Sequence, residues 1–189
     1  YVGDFKIFKL LVEQGADVGR KRNTFWRPNG GVRGRGNTAL HVATMYNRQA
    51  ILEYLLGLGV DVNTPGEQGY TPLHIAAARN YHKCVEVLLN MRLDIGVNAG
   101  TTKGYTPLYL AAKRGQLGCV RMLVRREADL EKKDYPGLTP LAIAALLGNL
   151  RVVPELLARG AQALTQDYHG LQPLQYCSIT GDAEMATLL

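Results

Sequence analysis

A six-residue motif recurs along this chain at an almost constant spacing, and this repetition constrains the fold more than any other feature. The five copies begin at glycines that lie 33, 35, 33 and 33 residues apart. A period of this length indicates stacked copies of one small unit, each of which buries its apolar surface on its neighbours. The copies are Gly36-Asn-Thr-Ala-Leu-His41, Gly69-Tyr-Thr-Pro-Leu-His74, Gly104-Tyr-Thr-Pro-Leu-Tyr109, Gly137-Leu-Thr-Pro-Leu-Ala142 and Gly170-Leu-Gln-Pro-Leu-Gln175.

Each motif predicts the start of a short helix. A threonine hydroxyl can cap a helix, and the proline that follows it in three copies fits the first helical position. A glycine or asparagine then stands six residues after each motif, and these residues tolerate the left-handed backbone that ends a helix. A second apolar segment, such as 84–89, predicts a second helix. Pro154 falls inside one of these segments, so we expect a late start or a kink there. The capping threonines are Thr38, Thr71, Thr106 and Thr139.

This pattern resembles the ankyrin repeat family. The resemblance rests on the 33-residue period, the Thr-Pro-Leu-His core at 71–74 and the turn Gly59-Val-Asp-Val-Asn63. It implies an all-α solenoid of helix-turn-helix units joined by β-hairpin fingers. It also implies that His41 and His74 are structural and bond backbone groups of neighbouring repeats. Because other residues replace this histidine in the last three copies, we expect weaker inter-repeat hydrogen bonding there, or other partners. The replacements are Tyr109, Ala142 and Gln175.

The repeats extend along the whole chain, which predicts a single domain over 1–189. Residues 1–18 match the end of an earlier repeat, with a helix over Ile7–Val12, and the last repeat is truncated at Leu189. We therefore expect the sequence to be a piece of a longer protein. The repeats in between start near residues 36, 69, 104, 137 and 170.

The composition indicates which cellular compartment and which class of protein are expected. No run of 18 or more apolar residues occurs in the sequence, so none of its segments is expected to span a membrane. The three cysteines are sparse and odd in number. A disulfide framework is therefore not expected, and an intracellular protein of the cytoplasm or nucleus is favoured.

A basic, glycine-rich insertion at 19–35 carries all of the excess charge. It holds six of the 22 basic residues and no acid, and the net charge of the chain is +6. Its Trp26 and Arg27 are residue types enriched in interface hot spots, which favours a partner-binding finger. Two alternatives remain. The insertion is a solvated loop without a task, or its basic and aromatic residues serve nucleic-acid contact or nuclear import.

Catalytic and metal-binding patterns are missing from the sequence. The four histidines show no metal-ligand spacing, and the carboxylates form no acid pair or triad. Cys84 and Cys119 occupy the same repeat position, which predicts inert thiols packed between helices. We therefore expect no enzymatic activity, no cofactor and no metal site.

Aromatic and basic residues recur on the fingers and just before the turn between the two helices. In the ankyrin fold both positions face a concave surface, so we expect a groove that holds an extended peptide. The basic members favour an acidic or phosphorylated partner segment. The alternative is that the aromatic residues merely pack on their own hairpins. The predicted partner-binding residues are Trp26, Arg27, Tyr46, Tyr70, Arg79, Tyr105, Lys113, Arg114, Tyr135, Leu147 and Tyr168.

The sequence as a whole favours a protein-protein interaction module of the scaffold or adaptor type. One alternative is an ankyrin array that binds nucleic acid through the basic insertion. Another is the cytosolic regulatory ankyrin domain of a larger channel or enzyme. The segment 55–63 also resembles the ankyrin site of asparagine hydroxylation, which makes Asn63 a candidate modification site.

Overall fold

A computed structural model describes residues 2–20, 36–91 and 95–189 of the chain. These residues form eleven α-helices, one short 3-10 helix at Glu67–Gly69 and no strand, so the predicted all-α class is confirmed. The α-helices are α1 (Val2–Glu13), α2 (Ala39–Met45), α3 (Gln49–Gly57), α4 (Pro72–Ala78), α5 (His82–Met91), α6 (Pro107–Lys113), α7 (Leu117–Val124), α8 (Pro140–Leu146), α9 (Val153–Ala158), α10 (Pro173–Thr180) and α11 (Ala183–Leu188).

The helices form two parallel rows, as a solenoid requires. The inner row is α2, α4, α6, α8 and α10, and each member packs on the next. In the outer row, α1, α3, α5 and α7 pack in the same order. The motif leucine of the first four copies is fully buried between repeats, as at Leu40 and Leu141, whereas its counterpart Leu174 is 47% exposed. Each repeat therefore completes the core of the repeat before it.

Helix boundaries follow the capping and breaking residues. The hydroxyl oxygens of Thr106 and Thr139 accept hydrogen bonds from backbone N–H groups three residues later, at 3.0 and 3.2 Å. Asn47 and Asn80 end their inner helices with positive φ angles of 53° and 61°. Pro154 is the second residue of α9, which has six residues where α5 has ten. The predicted late start at Pro154 is confirmed.

The first helix is longer than the sequence suggested. It begins at Val2, five residues before the predicted start at Ile7. Phe5 and Phe8 lie one turn apart on α1, and both pack edge-on against Tyr54, with ring centroids 5.9 and 6.4 Å away. These contacts stabilise an earlier start than the apolar run at 7–12 indicates.

The fingers between repeats are tight turns, and the expected β-hairpins contain no strand within the described part of the chain. In the second finger, Gly66 N–H donates to Tyr70 O at 2.8 Å, and Gly69 N–H donates to Gly66 O at 3.1 Å. These two bonds close a five-residue turn, which leaves no room for a longer ladder. Neighbouring fingers are joined instead, since Thr102 N–H donates to Gln68 O at 3.0 Å. The bonds from Tyr135 to Lys103 and from Tyr168 to Pro136 repeat this link.

Candidate protein-interaction surface

The motif histidines attach each of two fingers to the inner helix of the preceding repeat. His41 Nε2 lies 2.9 Å from Tyr70 O, and its Nδ1 accepts from Thr38 N–H at 3.1 Å. A carbonyl oxygen can only accept, so Nε2 carries the hydrogen and Nδ1 offers a lone pair. His74 repeats these contacts with Tyr105 O and Thr71 N–H. Both rings are fully buried.

Burial keeps the His74 ring neutral. It lowers the pKa of His74 from 6.5 to about 4, against the opposing effect of the bond to the Tyr105 carbonyl. A proton on Nδ1 would also face the Thr71 N–H that this nitrogen accepts. The neutral ring is therefore part of the folded structure, and it fixes the position of the finger that carries Tyr105.

In the third copy, tyrosine and aspartate form the link between repeats that histidine forms in the first two. The Tyr109 hydroxyl donates to Asp134 Oδ2 at 2.6 Å, and Asp134 Oδ1 accepts from Leu138 N–H at 2.8 Å. Both side chains are buried, and burial, followed by the bond to Asp134, raises the pKa of Tyr109. In the last repeat, Tyr176 donates to Asp167 in its own finger. Another partner thus replaces the inter-repeat histidine bond at Tyr109. By contrast, Ala142 has no polar side chain, and Gln175 bonds Gln172 N–H in its own repeat. The third copy follows one of the two outcomes expected from the sequence, and the last two copies follow the other, weaker inter-repeat bonding.

A shallow depression lies where α2, α4 and the second finger meet. Its volume is about 270 Å³. Arg79 crosses one side, where its Nη1 donates to Met45 O at 2.7 Å. Gly66 permits the finger to approach, because a Cβ at this position would lie 2.7 Å from His41 Nε2. The lining residues are Asn37, Met45, Glu67, Gln68, Tyr70, Ile75, Ala78 and Arg79.

One repeat further, two tyrosines and two cations lie together. Tyr105 stacks on Tyr109 with ring centroids 4.8 Å apart, and Lys113 Nζ lies 5.0 Å from the Tyr105 ring centroid. Burial and Tyr105 raise the pKa of Tyr70, while the charge of Arg114 lowers it. Arg114 therefore acts on the tyrosine of the preceding finger. We call Tyr70, Tyr105, Lys113 and Arg114 the tyrosine-cation cluster.

The inner face, formed by the fingers and the exposed sides of the inner helices, carries uncompensated positive charge. Across the described ranges, none of its three predicted cations forms an ion pair with a carboxylate. The outer helices differ. Glu155 binds Arg121 at 2.7 Å and Arg159 at 3.2 Å, and these bonds, Arg121 first, lower the pKa of Glu155. The three inner cations are Arg79, Lys113 and Arg114.

The remaining predicted residues have separate surroundings. Tyr135 and Tyr168 are 79% and 69% exposed at the tips of two consecutive fingers. Lys133 Nζ lies 5.7 Å from the Tyr168 ring centroid, a contact that the sequence did not indicate. Tyr46 lines a different cavity of about 550 Å³ beside α1, and Leu147 is exposed. Trp26 and Arg27 lie outside the described residues.

Family models extend over most of the chain. A model described as ankyrin repeats (3 copies) matches residues 1–66 and 63–134. A model described as ankyrin repeat matches residues 136–168. The chain belongs to the ankyrin repeat family. Ankyrin repeats are generally protein-interaction modules, and the family is typically non-catalytic.

Curated relatives share ankyrin segments with the chain. It is 42% identical over 55 residues to the nuclear factor NF-kappa-B p110 subunit of Drosophila melanogaster, a match that covers 29% of this chain and 6% of that protein. It is 31% identical over 98 residues to the target of rapamycin complex 2 subunit AVO2 of Saccharomyces cerevisiae, covering 51% and 21%. It is 30% identical over 97 residues to Rabankyrin-5 of Mus musculus, covering 49% and 8%. The chain thus spans about a fifth or less of the length of these relatives.

The thiols of two cysteines of this ankyrin array are packed in its core. Cys84 and Cys119 are fully buried, and burial raises the pKa of each thiol to about 11. Within the described segments, no group of histidine, cysteine or carboxylate side chains is arranged to hold a metal ion. No helix in the same segments is both long and apolar enough to cross a bilayer.

Proposed function

We propose that this ankyrin array binds an extended, acidic segment of a partner protein along its inner face. The observation that carries the proposal is the uncompensated charge of Arg79, Lys113 and Arg114 beside half-buried tyrosines. Cations held at fixed positions attract a segment of opposite charge and set its orientation. An acidic segment supplies the carboxylates that these cations lack among residues 2–20, 36–91 and 95–189.

The spacing of these groups favours an extended segment. The depression at Tyr70 and Arg79 belongs to one repeat boundary, and the tyrosine-cation cluster begins at the same finger and continues into the next repeat. A segment that crosses the inner helices meets the two sites in succession. The fingers are joined by backbone bonds, such as Thr102 N–H to Gln68 O, so little ordering accompanies binding.

Aromatic burial contributes more to the affinity than the charges do. Covering a well-placed aromatic residue contributes roughly 2 kcal/mol or more at a hot spot, whereas an exposed ion pair contributes about 0.2–1 kcal/mol. Tyr70 and Tyr105 are half-buried and held by their neighbours, so they are ready to pack against a partner. In this proposal the insertion at 19–35 supplies Trp26 as a further apolar anchor.

Selection from a random peptide display library tests the proposal. We expect the selected peptides to be enriched in Asp and Glu. Their affinity should fall at least about fivefold for the double variant Arg79→Gln/Arg114→Gln, which removes two inner-face charges. The matched control is Arg125→Gln/Arg151→Gln, which removes two exposed charges from the outer side of the repeats. If the selected peptides bind the control variant more weakly than the unaltered protein but bind the inner-face variant equally well, the binding site lies outside the inner face.

A further inference from the structure

The tyrosine-cation cluster carries side-chain hydrogen-bond donors that have no acceptor within the described part of the chain. The ammonium of Lys113 and the guanidinium of Arg114 are both donor-only groups. Neither the Tyr70 nor the Tyr105 hydroxyl has a hydrogen-bond partner among residues 2–20, 36–91 and 95–189. Lys113 is held over the Tyr105 ring, 5.0 Å from its centroid, so one cation already has a fixed place.

Among the described residues, no carboxylate forms an ion pair with the cations of the cluster. Glu67, the carboxylate on the same finger as Tyr70, lines the depression that contains Arg79. It makes no ion pair with Lys113 or Arg114. The third cation of the inner face, Arg79, directs its Nη1 to the Met45 carbonyl. Lys113 and Arg114 are adjacent at the end of α6, and Lys113 Nζ lies 5.0 Å from the Tyr105 ring centroid. The cluster therefore combines two positive charges with two phenol hydroxyls that have no partner in the described ranges.

We propose that the tyrosine-cation cluster binds the phosphate group of a phosphorylated residue in the partner segment. The inference rests on the proposed function and names the side chain that the inner face accepts at this position. A phosphate monoester carries a charge of about −1.5 to −2 at neutral pH and has three acceptor oxygens. These values match two cations and two hydroxyl donors. One carboxylate has a single charge and two oxygens, so it leaves part of the cluster unsatisfied.

The arginine and the lysine have different parts in this recognition. A guanidinium binds phosphate with two parallel N–H bonds, whereas an ammonium acts as a point charge. Arg114 is exposed and free to orient toward the bound group, while Lys113 is half-buried on the stacked rings. Arg114→Lys should therefore recover only part of the affinity that Arg114→Gln loses.

Three labelled peptide pools test the inference by fluorescence anisotropy. The pools share random flanks of four residues and differ only in the central residue, which is phosphoserine, serine or glutamate. We expect the phosphoserine pool to bind about tenfold more tightly than the glutamate pool, as a second charge-assisted contact implies. Arg114→Gln and Lys113→Met should reduce this preference toward one. The control Arg125→Gln should retain it, and circular dichroism should show all variants folded.

Three other results of the peptide-pool experiment would each lead to a different conclusion. Equal binding of the phosphoserine and glutamate pools, both above serine, overturns the phosphate inference and leaves the acidic-segment proposal standing. Failure of all three pools to bind contradicts both. A single-stranded thymidine oligonucleotide that binds more tightly than the phosphoserine pool, with the same dependence on Arg114, would show that the cluster accepts nucleic-acid phosphodiesters, and the inference would be wrong.

Discussion

Removing one hydroxyl group, with Tyr109→Phe, tests whether tyrosine and aspartate replace the motif histidine as the link between repeats. The Tyr109 hydroxyl donates to Asp134 Oδ2 at 2.6 Å, and both residues are buried. The variant keeps the ring stacked on Tyr105 and leaves the carboxylate oxygen without its donor. A hydrogen bond to a charged group contributes about 1.5–3 kcal/mol. We therefore expect the free energy of unfolding to fall by about 2 kcal/mol.

Urea unfolding followed by circular dichroism measures this loss, and Tyr105→Phe is its matched control. The Tyr105 hydroxyl has no partner within the described ranges, and the same atom is removed from the neighbouring ring. The control should change the free energy of unfolding by less than about 0.5 kcal/mol. Equal losses for the two variants would refute the reasoning, because the bond to Asp134 would then contribute nothing beyond the packing of the rings.

Three further predictions concern pH, modification and the insertion. The pKa of His74 falls from 6.5 in the unfolded chain to about 4 on folding, so its stabilisation, about 3 kcal/mol, is present above pH 6.5 and lost as pH falls toward 4. In unfolding experiments, lowering the pH from 7 to 5 should remove about 2 kcal/mol of this stabilisation, and the loss should diminish in His74→Gln and persist in His82→Gln. Asn63 Oδ1 accepts from Gly96 N–H at 2.7 Å, so the side chain is held in the folded structure. An asparaginyl hydroxylase should therefore add one oxygen to the Asn63 peptide faster in mild urea, which loosens this contact, than in buffer. No mass change under either condition would show that Asn63 is not a hydroxylation site. Trp26→Ala should weaken partner binding more than any single Arg or Lys change in 19–35, and unchanged affinity after deletion of 20–33 would identify the insertion as a solvated loop.

The order and most of the starts of the helices could be predicted from residues that are close together in sequence. The period, the capping threonines and the prolines depend on residues close together in sequence, so the helix order and the late start at Pro154 could be inferred directly. The length of α1 could not be inferred, because it depends on packing of Phe5 and Phe8 against Tyr54, more than forty positions away.

The tyrosine partners of two buried finger aspartates were not predicted from the sequence either. Asp134 and Asp167 occupy the same finger position, and an aspartate in a turn usually bonds local backbone. Their Oδ1 atoms do bond local backbone, at Leu138 and Leu171, but the other oxygen accepts from a buried tyrosine. These bonds could have been predicted from the joint occurrence of two residues: an aspartate on a finger, and a tyrosine at the motif histidine position or next to it. The tyrosine-cation cluster likewise combines residues of different repeats, since Tyr70 belongs to one finger and Lys113 and Arg114 to the inner helix of the next repeat.

Amide hydrogen exchange with and without a bound peptide tests the central claim most directly. The probe is the tightest acidic peptide from the display selection, added to saturation. Binding along the inner face should slow exchange in the fingers and inner helices at 66–79 and 101–114. The outer helices α5 and α7 should exchange as they do in the free protein. Slowed exchange confined to α5 and α7, with the two inner segments unchanged, would contradict the account.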